Sequence, residues 1–570
     1  MRARAAATAT SAPPAPASPG PVRVRRTAAR PAVVAALVAV VLTAAYLLAP
    51  PLGTDLSAQV ARAGFFDRHG LTPIDFGWYG GVSSAGYSLV SPALMTWLGG
   101  GLLGARLAGA LAAVVSAVAL ALLLARTGAR RPALAGAIGA VCFVGNLVSG
   151  RTTYAVGVAF GLLALVALTL PARRQRMVAA VAGAALAALT SPVAGLFVGL
   201  AGVALVASRL FAGRRSTVGP SARTDRARAA LGRIRPALDG LLVALGAAVP
   251  MGVTSVVFGS GGWMNISRSD TVHAVVTSLA VAVLVPRRAV RIGASLSALG
   301  VLAACLLHTP VGLNATRLAT MFALPVLAGY ADLGWVRRSG AVPRRLAGAA
   351  LPVVLLATAG WQPPVLWADL ADAGNPVSSR EYVRPLREEL ARRAPVGRVE
   401  VIPTRDYWEA AYLPDVAPLA RGWLRQADLA YHPLFFDGAL TADRYHSWLR
   451  ENGVSYVALA GAEPSWVGQR EATLVRGGLP YLSPVWHGGG WVLYRVAGDP
   501  SIVSGARLVS SGPGGVTMEV PAAGDVLVRV RYSRWLAVRG PAAAEIRRQG
   551  EWSLVTVSRP GRYTVTSALR

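Results

Sequence analysis

Residues 107–131 read LAGALAAVVSAVALALLLARTGARR, an apolar run that stops at Arg126, Arg130 and Arg131. No charged side chain interrupts 107–125, and a helix of that length crosses the hydrocarbon core of a bilayer. The same unit, an apolar run ending in arginines, recurs through the first 361 residues. The run 32–49 follows Arg23, Arg25 and Arg26, and 132–148 with 154–170 leads out and back to Arg173, Arg174 and Arg176. Runs 177–189 and 196–206 return to a basic loop over 213–235 that holds Arg214, Arg215, Arg223, Arg226, Arg228, Arg233 and Arg235. Runs 241–257 and 272–285 return to Arg287, Arg288 and Arg291. Runs 292–307 and 318–333 return to Arg337, Arg338, Arg344 and Arg345, and 346–360 leaves last. Every cluster falls on one side, as the positive-inside rule requires.

This alternation predicts a polytopic α-helical membrane protein of about eleven spans, with the N-terminus in the cytoplasm and the C-terminus outside. The composition agrees: of 570 residues, 54% are hydrophobic and only 15% charged, against about a quarter charged in soluble domains. The net charge of +30 comes entirely from arginine on the basic side, since the chain has no lysine. In a soluble protein such a balance would point to nucleic acid. Arginines placed between spans exclude that reading here and make the bilayer the partner. Cys142 and Cys305 lie inside apolar runs and form neither a disulfide frame nor a metal site.

Four regions follow. Residues 1–31 form a Pro/Ala-rich, disordered cytoplasmic tail, ahead of an uncleaved anchor rather than a signal peptide. Residues 32–361 form the transmembrane domain, with 53–101 as its first external loop. Residues 362–500 are polar and carry helix patterns at 382–393 and 442–451 and strand patterns at 398–402, 454–459 and 491–496, an extracytoplasmic α/β module. Residues 501–570 alternate in the strand period, as at 525–530 and 553–557, and predict a β-sandwich. The two polar modules together are expected to fold as a separate water-soluble unit.

The first external loop is where chemistry is expected. It opens with Gly53-Thr-Asp-Leu-Ser-Ala-Gln-Val-Ala-Arg-Ala-Gly-Phe-Phe-Asp-Arg-His-Gly70. On a helix, Asp55, Gln59, Arg62 and Phe66 share one face, and Leu56, Val60 and Ala63 another. That is an amphipathic helix on the membrane surface with a carboxylate beside the first span. Asp55 is either the cap of that helix or a general base. The stretch Trp78-Tyr-Gly-Gly-Val-Ser-Ser-Ala-Gly-Tyr-Ser-Leu-Val-Ser-Pro-Ala-Leu94 follows, a Gly/aromatic loop whose rings stack on a ligand or anchor the interface. Arginine is scarce on the outer side, which singles out Arg317 in Gly312-Leu-Asn-Ala-Thr-Arg317. His308, at the same end, reads as a polar end-cap. No phosphate-cradling glycine loop, spaced Cys/His cluster or nucleophile elbow is present.

Residues 53–95, Leu189-Thr-Ser-Pro192 and the stretch around Arg317, together with the helical layout, resemble the C-type (GT-C) glycosyltransferases and the bacterial conserved integral membrane proteins grouped around that fold. The resemblance implies an enzyme of the bacterial inner membrane. It would transfer a sugar from a polyprenyl-phosphate donor to a cell-envelope glycan, lipid or protein on the outer face. It implies Asp55 as catalytic base or contact of a divalent cation, and Arg317 and Arg68 as holders of the donor phosphate, with Arg151 a weaker candidate. Gln59, Arg62, Asp67, His69, Trp78, Tyr79 and Tyr87 would line the substrate site. Many members carry paired acids in this loop, whereas Asp55 stands alone, with Asp67 and Asp75 as possible second acids. The lone acid keeps open a scaffold whose catalysis has lapsed. A transporter is the remaining alternative, against which the chain shows no repeated halves.

Overall fold

The computed structural model describes residues 21–211, 223–259, 262–333 and 349–569. Twelve of the helices it contains build the N-terminal bundle: α1 (Pro21–Leu48), α3 (Ser91–Trp97), α4 (Gly101–Arg126), α5 (Pro132–Val148), α6 (Thr152–Ala167), α7 (Arg173–Thr190), α8 (Pro192–Leu210), α9 (Arg223–Phe258), α10 (Arg268–Leu284), α11 (Arg288–Leu306), α12 (Arg317–Tyr330) and α13 (Ala350–Trp361). Between α1 and α3 lies α2 (Leu56–His69). Among the described residues five helical segments are long and apolar enough to cross a membrane: Ala28–Leu48, Gly101–Arg126, Pro192–Leu210, Ala237–Phe258 and Arg288–Leu306. The chain is a multi-pass membrane protein.

Two boundaries differ from expectation. Helix α1 begins at Pro21, so 21–31 is not a disordered tail; Ala and Arg are strong helix formers and extend a helix that the apolar run nucleates. For the same reason α9 begins at Arg223, well before the expected start of its apolar run. Residues 1–20, and the expected cytoplasmic arginines Arg214, Arg215, Arg337, Arg338, Arg344 and Arg345, lie outside the described residues.

Small residues let the helices approach, as lipid offers no hydrophobic drive between them. A Cβ on Gly136 would sit 2.9 Å from the Cβ atoms of both Ala35 and Ala121, where α1, α4 and α5 meet. Large apolar side chains such as Val41, Leu111, Val256, Val283 and Leu356 point outward instead and stay exposed, as a surface facing lipid tails allows. The turns gather at two ends. At one end Arg130 pairs with Asp332 at 2.7 Å, Arg287 donates to the Gly128 carbonyl, and Arg126 donates to Thr169 Oγ1. At the other, Asp55 N donates to the Ser149 carbonyl, Leu89 N to Leu189, and Leu313 N to Asn265.

The C-terminal half stands on this second end. It begins with α14 (Trp367–Ala371) and α15 (Arg380–Arg392). Helix α15 is capped by Ser379, whose Oγ accepts from Tyr382 N, and buries Val383, Leu386 and Leu390. A four-stranded sheet has the order β3-β4-β6-β5, from β3 (Arg398–Val401), β4 (Val454–Ala460), β5 (Leu482–Gly488) and β6 (Trp491–Val496). Strands β3 and β4 are parallel and the other pairs antiparallel. Helices α16 (Glu409–Tyr412), α17 (Arg425–Tyr431), α18 (Ala442–Glu451) and α19 (Gln469–Arg476) surround it. In its core the Arg421 guanidinium lies between the carboxylates of Glu400 and Glu471, stacked 3.6 Å from the Phe435 ring, and Tyr445 donates to Glu471 at 2.7 Å. Burial pushes both acids up, and the acids together hold Arg421 protonated.

Two further four-stranded sheets form a sandwich. One contains β7 (Val503–Ser504), β10 (Gly524–Val528), β12 (Ala544–Gln549) and β13 (Trp552–Val557). The other contains β8 (Arg507–Gly512), β9 (Gly515–Val520), β11 (Leu536–Arg539) and β14 (Gly561–Ser567). Inward Val516, Met518 and Val520 alternate with outward Thr517 and Glu519, the period-two pattern of a half-buried strand.

The segment 53–101 runs through both of these cores. Its small hairpin, β1 (Ile74–Asp75) with β2 (Val82–Ser83), sends Ile74 and Phe76 into the sandwich interior. Phe76 N donates to the Pro513 carbonyl, and Leu419 N donates to Gly77. Trp78 and Tyr79 are almost wholly buried in the α/β core. Trp78 Nε1 donates to the Ala410 carbonyl, and the Tyr79 hydroxyl sits among Gly422 O, Leu424 O and Asp428 Oδ1. Tyr79 is thus taken up by core contacts, contrary to expectation, whereas Trp78, although buried, also borders a small cavity beside Arg62 and Tyr87. The polar half likewise shares its cores with the loop rather than closing on itself. Truncation of Trp78 should open a cavity in that core at a cost of about 3–5 kcal/mol. Limited proteolysis of the Trp78→Ala protein should then cut residues 362–570 faster than in wild type, and unchanged cleavage would show that the loop is not part of that core.

Candidate functional site

The site is built where two tight turns interlock. After Leu48 the pair Pro50-Pro51 cannot continue α1. Gly53 then turns with φ +89°, and a Cβ there would lie 2.2 Å from the Ser149 carbonyl carbon. Opposite it, Gly150 has φ +74°, and its Cβ would lie 2.3 Å from Leu56 N. Glycine alone fits both positions. The turn between α5 and α6 is thereby pressed against the start of α2, with Asp55 N donating to Ser149 O at 3.2 Å.

Asp55 occupies the cap position of α2, yet its side chain makes no capping hydrogen bond. Its Oδ2 instead faces two guanidiniums, Arg151 Nε at 3.4 Å and Arg317 Nη2 at 3.5 Å. Arg151 immediately precedes α6, and Arg317 opens α12 after a 3₁₀ turn over Gly312–Thr316. The Arg317 guanidinium lies 5.1 Å from the centre of the Tyr154 ring. Three residues far apart in sequence thus meet at one oxygen. Both contacts are longer than the 2.7–2.9 Å of a closed charge-assisted bond, and Arg151 Nε makes no hydrogen bond. Two cations on one carboxylate leave the cluster with a positive excess.

The rest of the Asp55 face of α2 is engaged. Gln59, expected to touch substrate, is buried: its Oε1 accepts from Thr153 Oγ1 at 2.6 Å, and Thr153 continues to Ser91 at 2.7 Å. It ties α2 to α6 and α3 and positions Asp55 rather than meeting a ligand. Arg62 stacks 3.5 Å from the centre of the Tyr87 ring, and its Nη1 has no hydrogen-bond partner. Burial lowers its pKa, partly offset by Tyr87, Asp55 and Asp75. A cavity of about 90 Å³ is lined by Arg62, Asp75, Tyr87, Ser83, Ser84 and Phe258. In it Asp75 Oδ1 accepts from Gly77 N at 2.8 Å, and burial pushes its carboxyl up to about 7.

The far end of α2 cannot serve the same centre. Arg68 lies thirteen residues from Asp55, about 20 Å along a helix, and pairs with Asp415 at 2.7 Å. The expectation that it shares a phosphate with Arg317 fails on that distance. Asp67 is exposed on the same turn. His69 packs beside Phe65 and against Gly514 of the sandwich, and burial with Arg68 lowers its pKa. Neither is near Asp55. A larger cavity of about 640 Å³ lies along the Val60, Gly64 and Arg68 side of α2 and includes neither Asp55 nor Arg317.

Three acids near the site carried no signal in the sequence, as they follow the last apolar helix without any motif. Asp369 is buried and bonded to Ser149, with Arg151 and Asp55 in its field, and burial raises its pKa. Asp372 pairs with Arg405 at 3.0 Å. Asp406, whose carbonyl accepts from Ser57 Oγ, is pushed up to about 8 by burial and by its hydrogen bond with Asp372. Among the described residues no group of three or more His, Cys, Asp or Glu is arranged to hold a metal ion. At Asp55 itself, one carboxylate with two guanidiniums is a donor set for an anion, and does not fit a divalent cation.

No protein-family model matches this sequence, and no curated protein matches it significantly. Among solved structures the chain is similar to AftD, an arabinofuranosyltransferase from Mycobacteria, at 14% identity and a TM-score of 0.44. The match covers 94% of this chain and 60% of that one, so this chain spans less than two thirds of that protein. It is similar as well to ArnT from Cupriavidus metallidurans. The apo form matches at 16% identity and a TM-score of 0.46, over 82% of this chain and 98% of that one. The form bound to undecaprenyl phosphate matches at 15% identity and a TM-score of 0.45, over 84% and 98%.

Proposed function

We propose that this chain transfers a sugar from a polyprenyl-phosphate donor to a cell-envelope acceptor on the outer face of a bacterial inner membrane. The observation that carries the reading is the convergence of Asp55, Arg151 and Arg317 on one oxygen atom at the end of the bundle beneath the C-terminal half. The reading places about eleven spans in the membrane, arginine-rich turns in the cytoplasm and the C-terminal half outside.

Under this reading the donor phosphate takes the two guanidiniums, as forked donors suit its oxygens. It displaces the Asp55 carboxylate, which is then free to accept a proton. The acceptor hydroxyl oxygen forms its bond to the anomeric carbon, and its proton passes to Asp55. The bond from the anomeric carbon to the phosphate oxygen breaks, and polyprenyl phosphate leaves with the electron pair, steadied by Arg151 and Arg317. Arg62 and Tyr87 line the neighbouring small cavity and would contact the sugar. One observation favours the lapsed scaffold: neither cavity includes Asp55. Turnover decides between the two readings.

The protein reconstituted with polyprenyl-phosphate sugars should lose about 10²–10⁴-fold in kcat on Asp55→Asn, with its thermal transition unchanged. Full activity in that variant would remove Asp55 as the base. Arg317→Lys keeps the charge and loses the fork, so KM for the donor should rise while folding persists; an unchanged KM would remove the phosphate role. Gly150→Ala forces a Cβ against α2 from a left-handed backbone and should cost about 1–3 kcal/mol, lowering both Tm and kcat. A neutral outcome would show that the interlocked turns do not position Asp55.

A further inference from the structure

A cavity of about 640 Å³ lies on the opposite side of α2 from the Asp55 cluster and has no part in the transfer proposed above. Its floor is Pro50 and Pro51 after α1 and Gly101 and Leu102 at the start of α4, that is, the ends of two spans. Leu48, Trp97 and Leu103 next to that floor are exposed, so the cavity opens at the level where apolar surface meets polar. Its roof is the C-terminal half, from 374 to the first turn of α15 and from 411 to 415.

Three guanidiniums face it, from Arg68, Arg380 and Arg387, against two carboxylates, from Asp415 and Glu381. Asp415 is shared: Arg68 holds it at 2.7 Å, Arg387 lies 3.9 Å away, and Arg387 also donates to Tyr412 O at 3.0 Å. Glu381 is exposed on the rim. Arg380 makes no ion pair among the described residues, although it sits in the first turn of α15. A cation there opposes the helix dipole, and the amides ahead of Tyr382 N, which Ser379 Oγ caps, lack intrahelical acceptors. An anion in the cavity would relieve both. A cavity this size holds a polar head and the start of its chains rather than a whole lipid.

We infer that this cavity binds the anionic phosphate head of an amphiphile from the surrounding leaflet, with Arg380 and Arg387 as its direct cations. The site stands independently of the transfer reading, and its test uses binding alone. The full-length protein in a neutral detergent is titrated calorimetrically with dihexanoyl phosphatidylglycerol, dihexanoyl phosphatidylcholine and glycerol phosphate. Saturable binding of the phosphatidylglycerol, at least tenfold tighter than the zwitterionic lipid, is expected. Arg380→Gln, which breaks no ion pair, should weaken it several-fold, and Arg380→Gln with Arg387→Gln by tenfold or more. Glycerol phosphate binding as tightly as the lipid would assign the site to a soluble phosphate of the same chemistry. Equal affinity in wild type and Arg380→Gln, or no saturable binding, overturns the proposal. Asp55→Asn and Arg317→Lys should bind as wild type does; a loss in either would place the probe at the Asp55 cluster and equally overturn it.

Discussion

Everything at the candidate site depends on the contact between two glycine turns, Gly53 against Ser149 and Gly150 against Leu56. Without Cβ atoms the two backbones come within van der Waals contact, and that brings the start of α2 onto the turn between α5 and α6. Asp55 and Arg151 sit one or two residues from those glycines, so their separation is a property of backbone packing rather than of flexible side chains. Arg317 arrives from a third turn, which is itself pinned where Gly312 packs against the Met264 carbonyl. Past α2 the same segment threads its hairpin and its Trp78-Tyr79 pair into the two C-terminal cores. The loop therefore transmits rigidity in both directions, and the polar half is anchored by the loop that carries the acid.

Two arginine–carboxylate clusters in this chain have opposite character. Arg421 is enclosed by Glu400 and Glu471, with Tyr445 and Phe435 closing the remaining sides. One cation is shared there by two acids in a buried core, with Arg421 Nη1 and Glu400 Oε2 left without hydrogen-bond partners, and removing either type of partner would leave an uncompensated charge. The Asp55 cluster inverts the stoichiometry: two cations share one acid, at distances that leave donors unsatisfied. A buried cluster with a positive excess is stabilised by a further anion, which is the electrostatic sense in which it is a site and the Arg421 cluster is a core.

The helical character of the first 361 residues was legible because long apolar runs recur there, and five of the described helices reach spanning length. The α/β elements at 442–451, 454–460 and 491–496 and the sandwich strands at 524–528 and 552–557 were legible from their periods. Helix starts were not, as at α1 and α9, where Ala and Arg continue a helix past the end of its apolar run. Asp55 and Arg317 stood out because charge is scarce at that end of the bundle. Their contact to Arg151 could not be read, for it depends on where three turns pack. The burial of the aromatic pair at 78–79 could not be read, since a Trp-Tyr-Gly-Gly string looks the same whether it stacks on a ligand or fills a core. Only the partners more than 300 residues away, the Leu419 backbone, the Ala410 carbonyl and the Asp428 carboxylate, decide it.

The cation excess also sets an order of events under the transfer reading. While Arg151 and Arg317 both face Asp55, their donors are aimed at its Oδ2. A donor phosphate entering the cluster is a phosphodiester with one negative charge and two free oxygens, and it competes with the Asp55 carboxylate for the same guanidinium donors. The Asp55 oxygens are then released toward an acceptor hydroxyl only when the donor is in place. The reverse order has no comparable driver, since a neutral hydroxyl cannot compete for two guanidiniums. Donor-first binding is thus a consequence of the two-to-one charge ratio, and it requires both arginines: with one, the carboxylate and the phosphate would be bound with no cation left to steady the leaving group.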